Sequence, residues 1–138
     1  MQPMEILVLG PDGSGPTDLE ETLTRLGHDV VRAAEGWQLS PPPGGDTLVL
    51  DLRDGDHDWR RLADLLRQDE RPLVIVADQP RRLMWALTGR PAGLMVLTGA
   101  ESDGSYRVAL RVCQALRASR QERSRRKGFS LASGMATL

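Results

Sequence analysis

Short, uninterrupted apolar runs recur along this chain, with longer amphipathic or loop-like stretches between them. Such runs, bounded by turn residues, are typical of strands that are covered on both faces of a sheet. Strands that alternate with helices form a parallel sheet through right-handed crossovers. The sequence therefore predicts one α/β domain with five strands, at Ile6–Leu9, Asp29–Ala33, Thr47–Asp51, Leu73–Ala77 and Leu94–Leu97.

Apolar residues at helical spacing follow most of these runs. Thr17 and Glu20 form a capping box for a first helix, and Asp58 can cap a second. The residues Pro41–Pro43 forbid a long helix in the second crossover, since proline lacks the N–H that a helix needs. We expect the last helix to run from about Tyr106 to Ala118. Its inward stripe is predicted as Ala109, Val112, Cys113 and Leu116.

The composition is that of a globular protein, with 138 residues, 27% charged residues and one cysteine. A single cysteine cannot form an intramolecular disulfide, and no apolar run approaches the roughly 20 residues of a membrane span. We therefore expect a cytoplasmic protein with no membrane contact. Six basic residues and one acidic residue follow from Arg117 onward. We predict a domain at residues 1–118 and a basic, flexible tail at 119–138. Either this tail is a linker to an output domain outside this chain, through which alone DNA would be contacted, or the domain stands alone.

Two stretches resemble the receiver domain of bacterial two-component response regulators. These are LTRLGHDVVRAAEGWQL, Leu23 to Leu39, and DTLVLDLRD, Asp46 to Asp54, and the likeness extends over roughly residues 4–118. The resemblance implies a flavodoxin-like doubly wound sheet with the strand order 2-1-3-4-5. It also places Asp51 at the position of the family's phosphoacceptor, at the switch point where such sheets bind ligands.

Around that position the chain departs from the family. The resemblance implies two acidic residues that hold Mg²⁺ together with the acceptor, a hydroxyl residue and a lysine-proline pair. The Mg²⁺ and the lysine neutralise the incoming phosphoryl charge. The matching pocket positions here are Gly10, Pro11, Asp12, Ala77, Asp78, Leu97 and Thr98. Without that set of cations, Asp51 is predicted to have a structural role instead, capping the next turn or pairing with Arg53.

We therefore predict an atypical receiver that is not an enzyme, has no cofactor or metal, and acts as a phosphorylation-independent dimerisation module in signalling or transcription. The resemblance implies a homodimer through the family's fourth helix, fifth strand and fifth helix, here the helix after strand four, strand five and the last helix. The charged residues assigned to that surface are Arg81, Arg82, Glu101, Asp103, Arg107, Arg111 and Arg117.

Two alternatives stay open at this point. The first is a conventional phosphoreceiver that uses Asp51 and Mg²⁺ held by displaced ligands, for which Asp12, Asp54 and Asp78 are the nearby carboxylates. The second is a sensor that binds a small molecule or nucleotide in the crevice at the strand C-termini, beside the glycine-rich loop Gly10–Gly15. No nucleophile and base at suggestive spacing support a third, enzymatic alternative.

Overall fold

A computed structural model describes residues 3–10, 18–33, 42–53, 58–78, 81–98 and 101–136. The described residues form a five-stranded, all-parallel sheet with the strand order β2-β1-β3-β4-β5. This single α/β domain confirms the predicted flavodoxin-like fold. The strands are β1 (Glu5–Leu9), β2 (Asp29–Arg32), β3 (Thr47–Asp51), β4 (Leu73–Val76) and β5 (Leu94–Leu97), and the helices are α1 (Asp18–Arg25), α2 (Trp59–Arg67), α3 (Arg81–Leu87) and α4 (Asp103–Ala136).

Alternation along the strands divides the core between the two faces of the sheet. Leu48 and Leu50 of β3 join a cluster with residues of α2 and α3. Their neighbour Val49 points the other way and joins a cluster with residues of α1 and α4. Two of the helices in the described part of the chain therefore cover each face, which is why the central strands read as continuous apolar runs.

Local signals in the sequence set several helix ends. Asp58 caps α2, where its side chain accepts the Arg61 N–H at 3.2 Å. Gly27 ends α1 with a φ of +95°, a left-handed conformation that favours glycine. The His28 N–H then donates to the Leu23 carbonyl at 3.3 Å, which completes this C-terminal cap.

The last helix differs from its prediction. It begins at Asp103 and continues to Ala136, so the expected end near Ala118 is wrong. No proline or glycine stands between Ala118 and Lys127, and the arginine, glutamine and glutamate there are good helix formers. The inward stripe also shifts, since Val112 is 36% exposed whereas Leu110 is 1% exposed.

Some predictions fall on residues that are not described. These are the first capping box at Thr17, the crossover around Pro41, and the pocket positions Pro11 and Asp12. Within the described residues, no helix combines the length and the apolar character needed to cross a membrane.

Candidate functional site

Asp51 ends β3 at the carboxyl edge of the sheet, and its carboxylate is held by an arginine two residues away. The residue is buried, with an exposed fraction of 5%. The Nε of Arg53 lies 2.9 Å from Oδ1 of Asp51, and Nη2 of Arg53 lies 2.9 Å from Oδ2. The backbone N–H of Arg53 also donates to Oδ1 at 3.3 Å. Both carboxylate oxygens are thus engaged by one planar guanidinium, the strongest geometry for such a pair.

The same guanidinium reaches a second carboxylate at the start of α1. Nη1 and Nη2 of Arg53 lie 3.1 and 3.0 Å from the two carboxylate oxygens of Asp18. Hydrogen bonds to Asp51 and then Asp18 raise the pKa of Arg53 above its usual value, although burial opposes this. The bond from Arg53 lowers the pKa of Asp18. Arg53 is therefore a cation held between the two carboxylates of Asp51 and Asp18.

A second arginine approaches the same place from β2, the strand beside β1. Arg32 forms an ion pair with Glu20 of α1, with its Nε 3.4 Å from Oε1. A Cβ built on Gly10 would lie 3.2 Å from Nη2 of Arg32 and 3.7 Å from the Cβ of Asp51. The missing side chain at Gly10 therefore leaves room for the Arg32 guanidinium beside Asp51. Arg32 was not among the predicted site residues, although its position at the end of β2 indicates the carboxyl edge of the sheet.

The remaining pocket positions lie on the neighbouring strands and offer few polar groups. Ala77 is buried and its N–H donates to the carbonyl of Leu97 at 3.0 Å. Asp78 is exposed. The N–H and the hydroxyl of Thr98 donate to Oε1 of Glu101 at 2.6 and 2.9 Å. Among the described residues no group of three or more His, Cys, Asp or Glu side chains could hold a metal ion.

The charged residues of the predicted dimer surface are only partly brought together. Asp103 pairs with Arg25 of α1 at 2.9 Å, and Arg117 pairs with Asp46 at 3.0 Å. Glu101 accepts the bonds from Thr98 described above. These contacts lie within one chain. Glu101 and Asp103 therefore already have partners in their own chain, in place of partners across a two-fold axis. Arg81, Arg107 and Arg111 are exposed, and Arg82 lies in α3 with its side chain outside the described part.

Exposed apolar side chains mark the same side of the domain more clearly than charges do. We call the β5 face the surface formed by the edge strand β5 with the exposed apolar residues of α3 and α4. Its helix members are Met84 at 39% exposed, Trp85 at 82%, Val108 at 58% and Val112 at 36%. Val108 and Val112 lie on the flank of α4 that also carries Leu116, which packs against Gly93 just before β5. Residues Leu94–Val96 of β5 are themselves half-buried.

Comparison with known proteins supports the fold and gives no family. No family model matches the chain, and no curated protein matches it. Among solved structures it is similar to a fusion of the yeast Spc42 trimeric coiled coil, amino acids 181–211, with another structure. The TM-score is 0.62 at 15% sequence identity, and the match covers 99% of this chain and 95% of that chain. At that identity the likeness concerns the fold alone.

Proposed function

We propose that this protein is an atypical receiver-like domain that acts in the bacterial cytoplasm as a phosphorylation-independent protein–protein module in signalling or transcription control. The observation that carries the proposal is the side-on pair between Arg53 and Asp51, at the position that the resemblance assigns to the phosphoacceptor. The fold and the DTLVLDLRD stretch support the receiver-like part of the proposal. The pair supports the phosphorylation-independent part.

The physical argument concerns access and charge. A phosphoryl group or a metal ion can reach the oxygens of Asp51 only after Arg53 has left them. Arg53 is 19% exposed and the side chain of Asp51 is 7% exposed, so the pair is weakly screened by water. Breaking it would leave a buried carboxylate without a partner, which is costly. The internal cation therefore holds the domain in one state that needs no phosphoryl signal.

Mass spectrometry of the intact protein after incubation with Mg²⁺ and a small phosphodonor tests this. We expect no phosphoryl adduct on the wild-type chain. An adduct that disappears in Asp51→Ala but persists in Asp78→Ala, a control carboxylate that is exposed near the end of β4, would contradict the proposal and favour a conventional phosphoreceiver. The variant Arg53→Ala sharpens the test, because an adduct that appears only there identifies Arg53 as the group that blocks Asp51.

As its partner we propose a second copy of the chain, bound through the β5 face. Trp85 is 82% exposed, and large exposed apolar groups on a folded domain are characteristic of interaction sites. The strand β5 is an edge of the sheet, so its outer backbone groups are available for contact. Met84 of α3 and Val108 of α4, the helices on either side of β5 in the chain, are exposed apolar residues as well. In a two-fold dimer, the β5 face of each copy would be buried against the β5 face of the other.

Light scattering over a range of protein concentrations tests the dimer. We expect association that Trp85→Ser weakens strongly, while Val31→Ser has no effect. Val31 is the matched control, since it is 53% exposed on β2, the opposite edge strand. Charge reversals at Arg107 and Arg111 test the contribution of the predicted charged residues separately. A monomer at all concentrations, or equal association of the Trp85 and Val31 variants, would refute this interface.

A further inference from the structure

A groove lies at the amino end of the sheet, far from Asp51, and arginines dominate its lining. It has a volume of about 510 Å³ and runs between the middle of α4 and the segments that precede β3 and β4. Its charged lining consists of four arginines and two carboxylates: Arg71, Arg117, Arg120, Arg125, Asp46 and Glu70. A concave surface with an excess of one charge concentrates counter-ions of the opposite sign.

The pairing of these side chains leaves some of the positive charge available. Arg117 and Arg120 pair with Asp46 and Glu70 at 3.0 Å each. The Glu70 side chain is 79% exposed, and an ion pair with so exposed a carboxylate is weak. Arg125 is exposed and lines the same groove. A bound anion can therefore take over the bonds of Arg120 without opening the core.

The floor of the groove is apolar. Pro72 and Ala92 are buried and Leu116 is half-buried, and all three line the groove between the arginines. Arginine forks match phosphate oxygens in pairs, and an apolar floor suits the carbon skeleton or ring of a ligand. A volume of this size corresponds to a small molecule and not to a single ion.

We propose that this groove is a binding site for a small organic phosphate. The site rests on α4 and on the turns before β3 and β4, and depends neither on Asp51 nor on the β5 face. Its success or failure is therefore separable from that of the proposed function. Arg120 and Arg125 are the residues that bind the phosphate groups, with Arg117 beside them.

Calorimetric titration with ADP and with inorganic pyrophosphate, at a fixed ionic strength, tests the site. We expect saturable binding of both probes, with ADP tighter because its nucleoside contacts the apolar floor. Arg120→Ala and Arg125→Ala should each weaken binding about tenfold, the loss of a charge-assisted hydrogen bond. Glu70→Gln should tighten it, because a competing carboxylate is removed.

The matched controls are Arg107→Ala and Arg111→Ala, which remove the same charge from exposed positions of the same helix outside the groove. We expect both to bind the probes as the wild type does. Equal weakening by Arg107→Ala and Arg125→Ala would overturn the site, since net charge alone would then explain the binding. Absence of saturable binding by either probe would overturn it too. Equal affinity for the two probes would overturn the organic-phosphate assignment.

Discussion

The same aspartate–arginine arrangement occurs at opposite ends of the sheet, in Asp51-Leu52-Arg53 and in Asp69-Glu70-Arg71. At the carboxyl end, Arg53 donates its backbone N–H, Nε and Nη2 to Asp51. At the amino end, Arg71 donates the same three groups to Asp69, at 2.9, 3.0 and 2.8 Å. The spacing of two residues thus produces one local structure in two unrelated places.

The two arginines differ in the further acceptors to which they donate. Arg53 turns its remaining donors to the carboxylate of Asp18, which is 75% exposed. Arg71 donates instead to backbone carbonyls, at 2.9 Å to Pro42 and also to Gly44. The pair of Asp51 and Arg53 therefore lies at the solvent-facing end of the crevice. The pair of Asp69 and Arg71 instead connects a loop to the turn before β4. A local motif supplies the pair, and its surroundings decide its role.

The amino end of the sheet has a further brace, which is Arg90. The side chain of Arg90 is fully buried and donates at 2.8 Å to the carbonyls of Leu66, Asp69 and Gly93. Its guanidinium lies 3.9 Å from Asp69. Burial lowers the pKa of Arg90 to about 10, so it is still charged at neutral pH. The end of α2 and the loop before β5 are joined by this one side chain.

The largest expected effect is that of Arg90→Met. The substitution removes the guanidinium donors from three carbonyls, and we expect the free energy of unfolding to fall by about 3 kcal/mol or more. Urea denaturation followed by circular dichroism measures it. Arg60→Met, at an exposed position of α2, is the control and should change stability little. A loss below about 1 kcal/mol for the Arg90 variant would show that the brace is not structural.

The two pairs themselves can be compared with Arg71→Ala and Arg53→Ala. Each removes the arginine that binds both oxygens of a largely buried aspartate, and we expect losses of about 2 kcal/mol for Arg71 and about 1 kcal/mol for Arg53. Arg71 costs more because the carbonyls of Pro42 and Gly44 also lose their donor. Equal losses in urea denaturation would mean that the carbonyl bonds contribute nothing and that the two ends are energetically alike.

A smaller effect concerns pH at the amino end. His28 is buried, and its Nδ1 accepts the N–H of Met4 at 3.1 Å. Burial lowers the pKa of His28 below its usual value. The unfolded chain therefore takes up a proton first as the pH falls. The stability that His28 contributes is complete above the unfolded pKa of about 6.5 and is lost progressively as the pH falls below it.

We expect unfolding midpoints to decrease between about pH 7 and pH 5, and His28→Gln to reduce that dependence. His57→Gln, which replaces the only other histidine of the chain, is the control. Thermal melts across this pH range measure the effect. An unchanged pH dependence in the His28 variant would mean that other groups cause it.

The smallest expected effect is that of Asp18→Asn at the carboxyl end. Asp18 is 75% exposed, so its attraction to Arg53 is screened and the loss should stay below about 0.5 kcal/mol. Chemical denaturation at low and high salt checks this. A loss as large as that of Arg53→Ala would show that Asp18, and not Asp51, is the main partner of the guanidinium.

Several parts of this molecule could be predicted from local sequence. The apolar runs indicate the strands, and the capping residues Asp58 and Gly27 indicate two helix ends. The pairing of Asp51 with Arg53 was among the predicted alternatives. Arg90 could not be predicted, because its acceptors are carbonyls, which every residue carries, brought together by folding. The burial of His28 could not be predicted either, because its Nδ1 accepts the N–H of Met4, a residue far from it in the chain that lies just before β1.

By itself the sequence determined which segments are strands, the parallel direction of the sheet and the aspartate at the end of β3. It could do so because periodicity and capping act over a few residues. Tertiary structure alone decided the second partner of Arg53: Arg53 and Asp18 lie 35 residues apart in the chain and meet over the edge of the sheet. It also decided that the arginines of α4 face a groove, because side chains acquire their charge environment only when separate segments pack together.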